Sequence, residues 1–290
     1  MGHYQLDDDN TIYYEIDGAG EQKLVMLMGF AGTLRLFDET VQYLTENFQD
    51  LTILRLDNRA AGSSSGPMVK QTTTMLAKDC FDLLNHLGWT DKVHVLGASL
   101  GGMIAQELSL FLLAKNRLAS LYLSVTSRQR YPVQLPIGPS VWRFLFRMGK
   151  LDKMPKDKLV DMLLSQGYSD SFLDSRDEST GEMQRDLMRK RTYDMWDKGM
   201  SWNLDTLSAQ SCAAATHCFD DWKCEKLRKS GVPIMCHIAT EDKAMPSVGQ
   251  FELAKKLKAE TLIFKGGHLS TVQDPTRYHN SIIQHISSSV

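Results

Sequence analysis

The pentapeptide Gly97-Ala98-Ser99-Leu100-Gly101 constrains the fold of this chain more strongly than its composition does. An apolar run of strand length, residues 93–96, precedes it, and apolar residues at helical spacing follow it: Ile104, Leu108, Phe111 and Leu112. A serine on a sharp turn between a strand and a helix presents its hydroxyl to solvent, and glycines on both sides let the strand and the helix approach each other. The pattern therefore predicts a strand–turn–helix unit with an exposed, nucleophilic Ser99.

A base and an orienting acid for this serine are predicted further along the chain. A nucleophilic serine needs a base to take its proton, and the base needs an acid to orient it. The predicted strand 233–239 is followed by Glu241 and Asp242, and the predicted strand 261–264 is followed by a glycine pair and His268. We interpret Ser99, His268 and Asp242 as nucleophile, base and acid. Glu241 is an alternative acid, and its position matches the motif less well.

Three further segments complete a recognisable pattern. Residues 28–32 read Met-Gly-Phe-Ala-Gly, residues 57–64 read Asp-Asn-Arg-Ala-Ala-Gly-Ser-Ser, and Gly267-His268 is followed by Asp274-Pro275. With the chain order Ser, Asp, His, these segments resemble the α/β-hydrolase superfamily, in its branch of capped esterase-like and lipase-like enzymes. Three positions depart from the family pattern, where Met28, Ala60 and Ala239 replace a histidine and two glycines. None of the three has a chemical role, so the departures concern loop geometry.

The expected fold class is α/β. Predicted strands and helices alternate along the chain, which favours a mostly parallel sheet with helices on both faces and with sites at the carboxyl ends of the strands. The resemblance implies the α/β-hydrolase fold with a helical cap insertion. It also implies an oxyanion hole formed by the backbone N–H groups of Phe30 and Leu100.

The alternation of strands and helices stops between residues 127 and 216. This segment is rich in long polar residues, methionines and aromatic residues, and it shows helical patterns without clear strands. We therefore predict a core of residues 1–126 and 217–290 and a helical cap of residues 127–216. Methionine and aromatic side chains facing the core would form an adaptable apolar pocket. The candidate pocket residues are Phe30, Trp142, Trp196 and Trp202.

Composition argues against several other classes of function. A net charge of −2 gives no reason to expect nucleic acid or an anionic membrane surface as a partner. No apolar run approaches the ~18 residues that span a bilayer, and the acidic N-terminus lacks the apolar core of a signal peptide. The five cysteines show no metal-binding spacing. We expect a cytoplasmic protein without cofactor or metal that acts on a small molecule, and the oligomeric state stays open.

The preferred function is that of a serine hydrolase. It would cleave a carboxylic ester, either small or like a monoacylglycerol, through a Ser99 acyl-enzyme. The same three residues also serve thioester, amide and carbon–carbon bond hydrolysis, so these reactions remain alternatives. An epoxide hydrolase or a dehalogenase of this family would be expected to carry aspartate in place of Ser99. A ligand-sensing or scaffold protein with slow or vestigial hydrolysis is the alternative from a different class.

Overall fold

An eight-stranded sheet forms the centre of the protein, in a computed structural model that describes residues 1–7, 9–66, 70–129, 155–197 and 204–289. Its strands are β1 (Gly2–Gln5), β2 (Thr11–Gly18), β3 (Gln22–Leu27), β4 (Leu51–Leu56), β5 (Val93–Ala98), β6 (Leu118–Ser124), β7 (Ile234–Ala239) and β8 (Glu260–Phe264). The spatial order is β1-β2-β4-β3-β5-β6-β7-β8. Strand β2 is antiparallel to both of its neighbours, and the pairs from β4 through β8 are parallel.

Helices connect the strands. Those in the described ranges are α1 (Asp38–Asn47), α2 (Thr73–His86), α3 (Leu100–Leu113), α4 (Lys156–Gly167), α5 (Asp170–Leu173), α6 (Gln184–Asp197), α7 (Leu204–Thr216), α8 (Asp221–Lys229), α9 (Ser247–Leu257) and α10 (Pro275–Ser287). Several begin at side-chain caps, since Thr72 accepts from the Met75 N–H and Asp274 accepts from the Arg277 N–H. These caps fix where the helices start relative to the strand ends.

Both faces of the sheet are buried under helices. In β3, Leu24 and Met26 belong to an apolar cluster that includes residues of α1 and α10. The alternate residues Val25 and Leu27 belong to a second cluster, which includes residues of α2, α3, α8 and α9. Successive strand residues point to opposite faces, so a strand covered on both sides is a continuous apolar run. The predicted α/β-hydrolase fold, with a mostly parallel sheet and helices on both faces, is confirmed.

Residues 127–216 differ in character from the rest of the chain. Their described parts contain helices α4 to α7, and the β pairing there is limited to the isolated bridges Gln129–Cys218 and Arg176–Met183. The division into a core and a helical cap at these boundaries stays a prediction.

Strand β1, at the N-terminal edge of the sheet, has no counterpart among the strands predicted from the sequence. Strand β1 pairs with β2 in the register Gly2–Tyr14 to Gln5–Thr11. Its residues alternate between half-buried and exposed, and it carries no apolar run, so this edge strand leaves little trace in the sequence. Across the described ranges, no helix is both long enough and apolar enough to cross a membrane.

Candidate active site

Ser99 lies at the sharp turn between β5 and α3. Its backbone has φ 57° and ψ −119°, a combination of angles that residues with a Cβ seldom adopt. The Ser99 N–H donates to the Ser124 carbonyl at 2.9 Å, and the Thr126 hydroxyl donates to the Ser99 carbonyl at 2.8 Å. These two bonds to β6 and to the loop after it hold the strained turn in place.

The two glycines of the pentapeptide allow the close approach that the turn requires. A Cβ on Gly101 would lie 1.9 Å from the Leu27 carbonyl oxygen, and a Cβ on Gly97 would lie 2.3 Å from the Gly101 carbonyl oxygen. Both distances are far below van der Waals contact, so the helix can pack against β3 and β5 only with glycine at these positions.

Ser99, His268 and Asp242 form a continuous hydrogen-bonded chain at the carboxyl ends of β5, β7 and β8. The His268 Nε2 lies 2.9 Å from the Ser99 Oγ, and the His268 Nδ1 lies 2.7 Å from the Asp242 Oδ2. The Asp242 side chain is completely buried, whereas the His268 side chain is 16% exposed. The structure thus brings together the three residues that the sequence analysis selected, with the histidine between the hydroxyl and the carboxylate.

The Asp242 carboxylate is fixed by three partners besides His268. Its Oδ1 accepts from the Ala244 and Met245 N–H groups at 2.8 Å each, and its Oδ2 accepts from the Gln250 side-chain amide at 2.9 Å. The alternative acid, Glu241, is instead within 3.4 Å of the Ser171 hydroxyl. Between the two candidate acids, the geometry favours Asp242.

A buried histidine behind the site was not singled out from the sequence. The two ring nitrogens of His237 lie 2.8 Å from the Ser124 Oγ and 3.2 Å from the Ser270 Oγ. Burial, together with the nearby His268 and Arg277, lowers the pKa of His237 to about 3. A neutral His237 therefore links β6 to the turn that follows His268 without adding a positive charge behind that imidazole.

The loop of residues 28–32 passes directly over Ser99. A Cβ on Gly29 would lie 3.0 Å from the Ser99 Cβ, so Phe30 follows a residue in contact with the serine. The turn closes with a hydrogen bond of 3.2 Å from the Gly32 N–H to the Gly29 carbonyl. Leu100 is the first residue of α3, where an N–H has no acceptor within its own helix. Both predicted oxyanion donors thus belong to segments adjoining Ser99, and their role stays a prediction.

An apolar cluster adjoins the loop of residues 28–32, which we call the Phe30 loop. Its buried members are Ala31, Leu159 of α4 and Leu207 of α7, and the half-buried side chains of Phe30, Met162 and Trp196 pack against them. Two of the predicted pocket residues, Phe30 and Trp196, therefore belong to one cluster. The other two, Trp142 and Trp202, lie outside the described residues.

Helices α4 and α7 also make polar contacts with the loops around the site. The Leu269 N–H donates to the Gly167 carbonyl at 2.7 Å, next to His268. The Thr206 hydroxyl donates to the Ala60 carbonyl, and the Ala31 N–H donates to the side chain of Gln210 at 2.8 Å. Each of these bonds joins a residue of the 127–216 segment to a loop at the carboxyl ends of the strands.

The loop of residues 57–64 has a structural part in this arrangement. Asp57 accepts from the Leu34 and Ser63 N–H groups at 2.8 Å each, and Arg59 pairs with the buried Asp79 through two hydrogen bonds. Burial raises the pKa of Asp57 above its ordinary value. For the residues that the structure describes, no group of three or more His, Cys, Asp or Glu side chains is arranged to hold a metal ion.

A family model described as the alpha/beta hydrolase fold matches residues 23–275 of this sequence. The chain belongs to this family. Two curated hydrolases match shorter stretches: RutD of Azorhizobium caulinodans, named as a carbamate hydrolase, is 30% identical over 107 residues, and the soluble epoxide hydrolase of a Corynebacterium species is 31% identical over 103. These stretches cover 37% and 36% of this chain, and 38% and 34% of the two relatives, so the matches span about a third of each protein.

Solved structures of other α/β hydrolases superpose over nearly the whole chain. The enol-lactonase of Burkholderia xenovorans has a TM-score of 0.76 at 19% identity, with 99% of this chain and 100% of that chain covered. A thermophilic esterase of Thermogutta terrifontis has a TM-score of 0.74 at 18% identity, with 97% and 94% covered. At these identities the likeness establishes the shared fold. With the family assignment, it identifies the protein as a member of the α/β-hydrolase fold family.

Proposed function

We propose that this α/β hydrolase is a serine hydrolase that cleaves a carboxylic ester through an acyl-enzyme on Ser99. The observation that carries the proposal is the chain of two hydrogen bonds from Asp242 through His268 to Ser99, at 2.7 and 2.9 Å. These are the distances at which a histidine can take a proton from a serine hydroxyl while a carboxylate holds the ring.

In the proposed reaction, the Ser99 Oγ attacks the ester carbonyl while its proton passes to the His268 Nε2. Asp242 stabilises the imidazolium ion that forms. The carbonyl oxygen becomes an oxyanion, which accepts from the backbone N–H groups of Phe30 and Leu100. Collapse of this intermediate returns the proton from His268 to the leaving alcohol and leaves an acyl group on Ser99. Water, deprotonated by His268, then releases the acid and restores the serine.

The proposed substrate is an ester with an apolar acyl group, either small or like a monoacylglycerol. The apolar cluster beside the Phe30 loop supports this choice, because pockets for such groups are lined by hydrophobic and aromatic side chains. We further propose that residues 127–216 act as a cap. The supporting contacts are the hydrogen bonds that join Gly167, Thr206 and Gln210 to loops at the carboxyl ends of the strands.

A fluorophosphonate probe tests the nucleophile. We expect the wild-type protein to be labelled at one serine and Ser99→Ala to be unlabelled. Ser171→Ala removes another serine, exposed and bonded to Glu241, and serves as the matched control that keeps the wild-type labelling rate. A folded wild-type protein that does not react with the probe would contradict the proposal and favour a sensing or scaffold role.

Substrates of graded length test the acyl group. We expect kcat/KM on p-nitrophenyl esters to change with acyl length, because each methylene buried in an apolar pocket contributes about 0.8 kcal/mol. The matching thioesters, measured in parallel, test the choice of bond. Rates that do not depend on chain length would exclude the apolar pocket, and faster cleavage of the thioesters would exclude the ester as the preferred bond.

A further inference from the structure

The Phe30 loop contains a strained backbone position. Ala31 is the third residue of the turn from Gly29 to Gly32, and its φ is 59°. Turns with a positive φ at this position usually carry glycine or asparagine there, because a Cβ disfavours the conformation. An alanine therefore adopts it only when the surroundings hold it there.

The Gln210 side chain supplies such a contact. Its Oε1 accepts from the Ala31 N–H at 2.8 Å, across 179 residues of sequence, and Gln210 is completely buried. The peptide that carries this N–H is the central peptide of the turn, between Phe30 and Ala31. An acceptor fixed on helix α7 thus opposes the rotation of this peptide that would relieve the positive φ of Ala31.

The other half of the Gln210 amide shows what burying this side chain costs. Its Nε2 is buried and has no hydrogen-bond partner among the residues that the structure describes. A buried, unpaired N–H is unfavourable, and an apolar side chain of the same size would avoid it. The hydrogen bond from the Ala31 N–H offsets this cost. Gln210 therefore contributes by holding the loop and not by packing within α7.

We infer that Gln210 is a positioning residue for the oxyanion hole, because its side-chain carbonyl holds the Phe30–Ala31 peptide and thereby the Phe30 N–H next to Ser99. The inference rests on the proposed function. In this arrangement the residue acts on the reaction through the loop and does not touch the reacting atoms. Its loss slows the attack by Ser99, since a small displacement of a donor weakens stabilisation of the oxyanion.

The test compares two variants on the same helix. Gln210→Met removes the acceptor and keeps a side chain of similar length, while Thr206→Val removes the hydroxyl that donates to the carbonyl of Ala60, a residue of a different loop. We expect Gln210→Met to be labelled by a fluorophosphonate about 10- to 100-fold more slowly than the wild type, but to the same final stoichiometry. Its kcat on p-nitrophenyl acetate should fall while KM changes little. Thr206→Val should stay within about twofold of the wild-type labelling rate, because its lost bond does not hold the donor.

The outcomes separate the inference from the proposed function. A wild-type protein that is not labelled contradicts the proposed function. A labelled wild type with a folded Gln210→Met that reacts at the same rate overturns the inference alone, as does a Thr206→Val that slows equally. A lower final stoichiometry at an unchanged rate also overturns it, because that result indicates partial misfolding.

If Gln210→Met does not fold, Gln210→Asn provides the same test. It keeps an amide on α7 but shortens the side chain by one methylene, so its carbonyl is withdrawn from the Ala31 N–H. We expect Gln210→Asn to be labelled more slowly than the wild type and to the same final stoichiometry. A folded Gln210→Asn that is labelled at the wild-type rate overturns the inference.

Discussion

At the scale of single residues, Asp242 is the most firmly held of the three side chains in the hydrogen-bonded chain. Its two oxygens accept from two backbone N–H groups, from Gln250 and from His268. Such a carboxylate orients the imidazole and selects its tautomer. We expect Asp242→Asn to fold and to lose about 10³- to 10⁴-fold in kcat on p-nitrophenyl acetate, because an amide permits the wrong tautomer.

Glu241→Gln is the control for this substitution. Glu241 has the same charge and is the neighbouring residue, but its carboxylate accepts from Ser171, whereas His268 pairs with Asp242. We expect kcat for Glu241→Gln to stay within about threefold of the wild type, since surface substitutions away from a site have small effects. Equal losses in the two variants would show that charge in this loop matters and that orientation of the imidazole does not.

The backbone of Ser99 predicts an effect on stability that is independent of catalysis. Strain at φ 57° and ψ −119° costs a residue with a Cβ about 1–3 kcal/mol, and glycine avoids that cost but loses up to about 1 kcal/mol through the flexibility of the unfolded chain. Ser99→Gly should therefore unfold in urea with a free energy about 1 kcal/mol higher than Ser99→Ala. Both variants lack the hydroxyl, so the comparison isolates the Cβ. A less stable glycine variant would show that this turn is not strained.

The residues that could be predicted from sequence are those with a local pattern. Ser99 has glycines on both sides, and Asp242 and His268 each follow a strand end, so short-range spacing was enough to select them. Gln210 and His237 have no such pattern. Gln210 meets Ala31 across 179 residues, and His237 meets Ser124 across 113, contacts that only the folded chain reveals.

At the scale of elements, the contact between α3 and β3 depends on Gly101. The carbonyl oxygen 1.9 Å from the position of an added Cβ belongs to the backbone of Leu27, so no side-chain movement relieves the clash. We expect Gly101→Ala to lose at least about 3 kcal/mol of unfolding free energy, or to fail to fold. Urea denaturation, with soluble yield as the second readout, measures the effect.

Gly88→Ala is the matched control for this close approach. Gly88 has φ +67°, and an added Cβ there meets no atom within 4 Å. Its replacement should cost about 1 kcal/mol, from backbone conformation alone. If the Gly101 and Gly88 variants were equally stable, the packing of α3 on β3 would not require glycine.

The strands could be predicted because most are apolar runs buried on both faces. The predicted strand at 233–239 begins one residue before β7, and the predicted strand at 261–264 begins one residue after the start of β8. The bounds of helices α4 to α7 could not be predicted, because these helices pack against one another and against loops. Helix α6, for example, is mostly polar along its length and shows no clear apolar stripe.

At the scale of the whole molecule, four buried histidines link folding to pH. They are His94, His217, His237 and His285, each at most 4% exposed. Burial is the main cause that lowers their pKa values from 6.5, to about 4 for His94 and His285 and to about 3 for His217 and His237. In the unfolded chain the same rings take up protons near pH 6.5, so the unfolded state binds more protons than the folded state below that pH.

Stability should therefore be greatest above pH 6.5 and should fall as the pH decreases towards 4. Each histidine contributes at most about 1.4 kcal/mol per pH unit in that range, and four together make the loss between pH 7 and pH 5 several kcal/mol. Burial raises the pKa of Asp57 and Asp79, and this contribution has the opposite sign, because the folded state holds the protons of these two carboxyl groups more tightly than the unfolded state does. Urea denaturation at pH 7, 6 and 5 measures the slope. We expect His94→Gln to make the dependence of unfolding free energy on pH shallower. His3 is exposed, and its replacement is the control that should leave this dependence unchanged. Equal stability at pH 7 and pH 5 would show that the fold does not hold the four rings neutral.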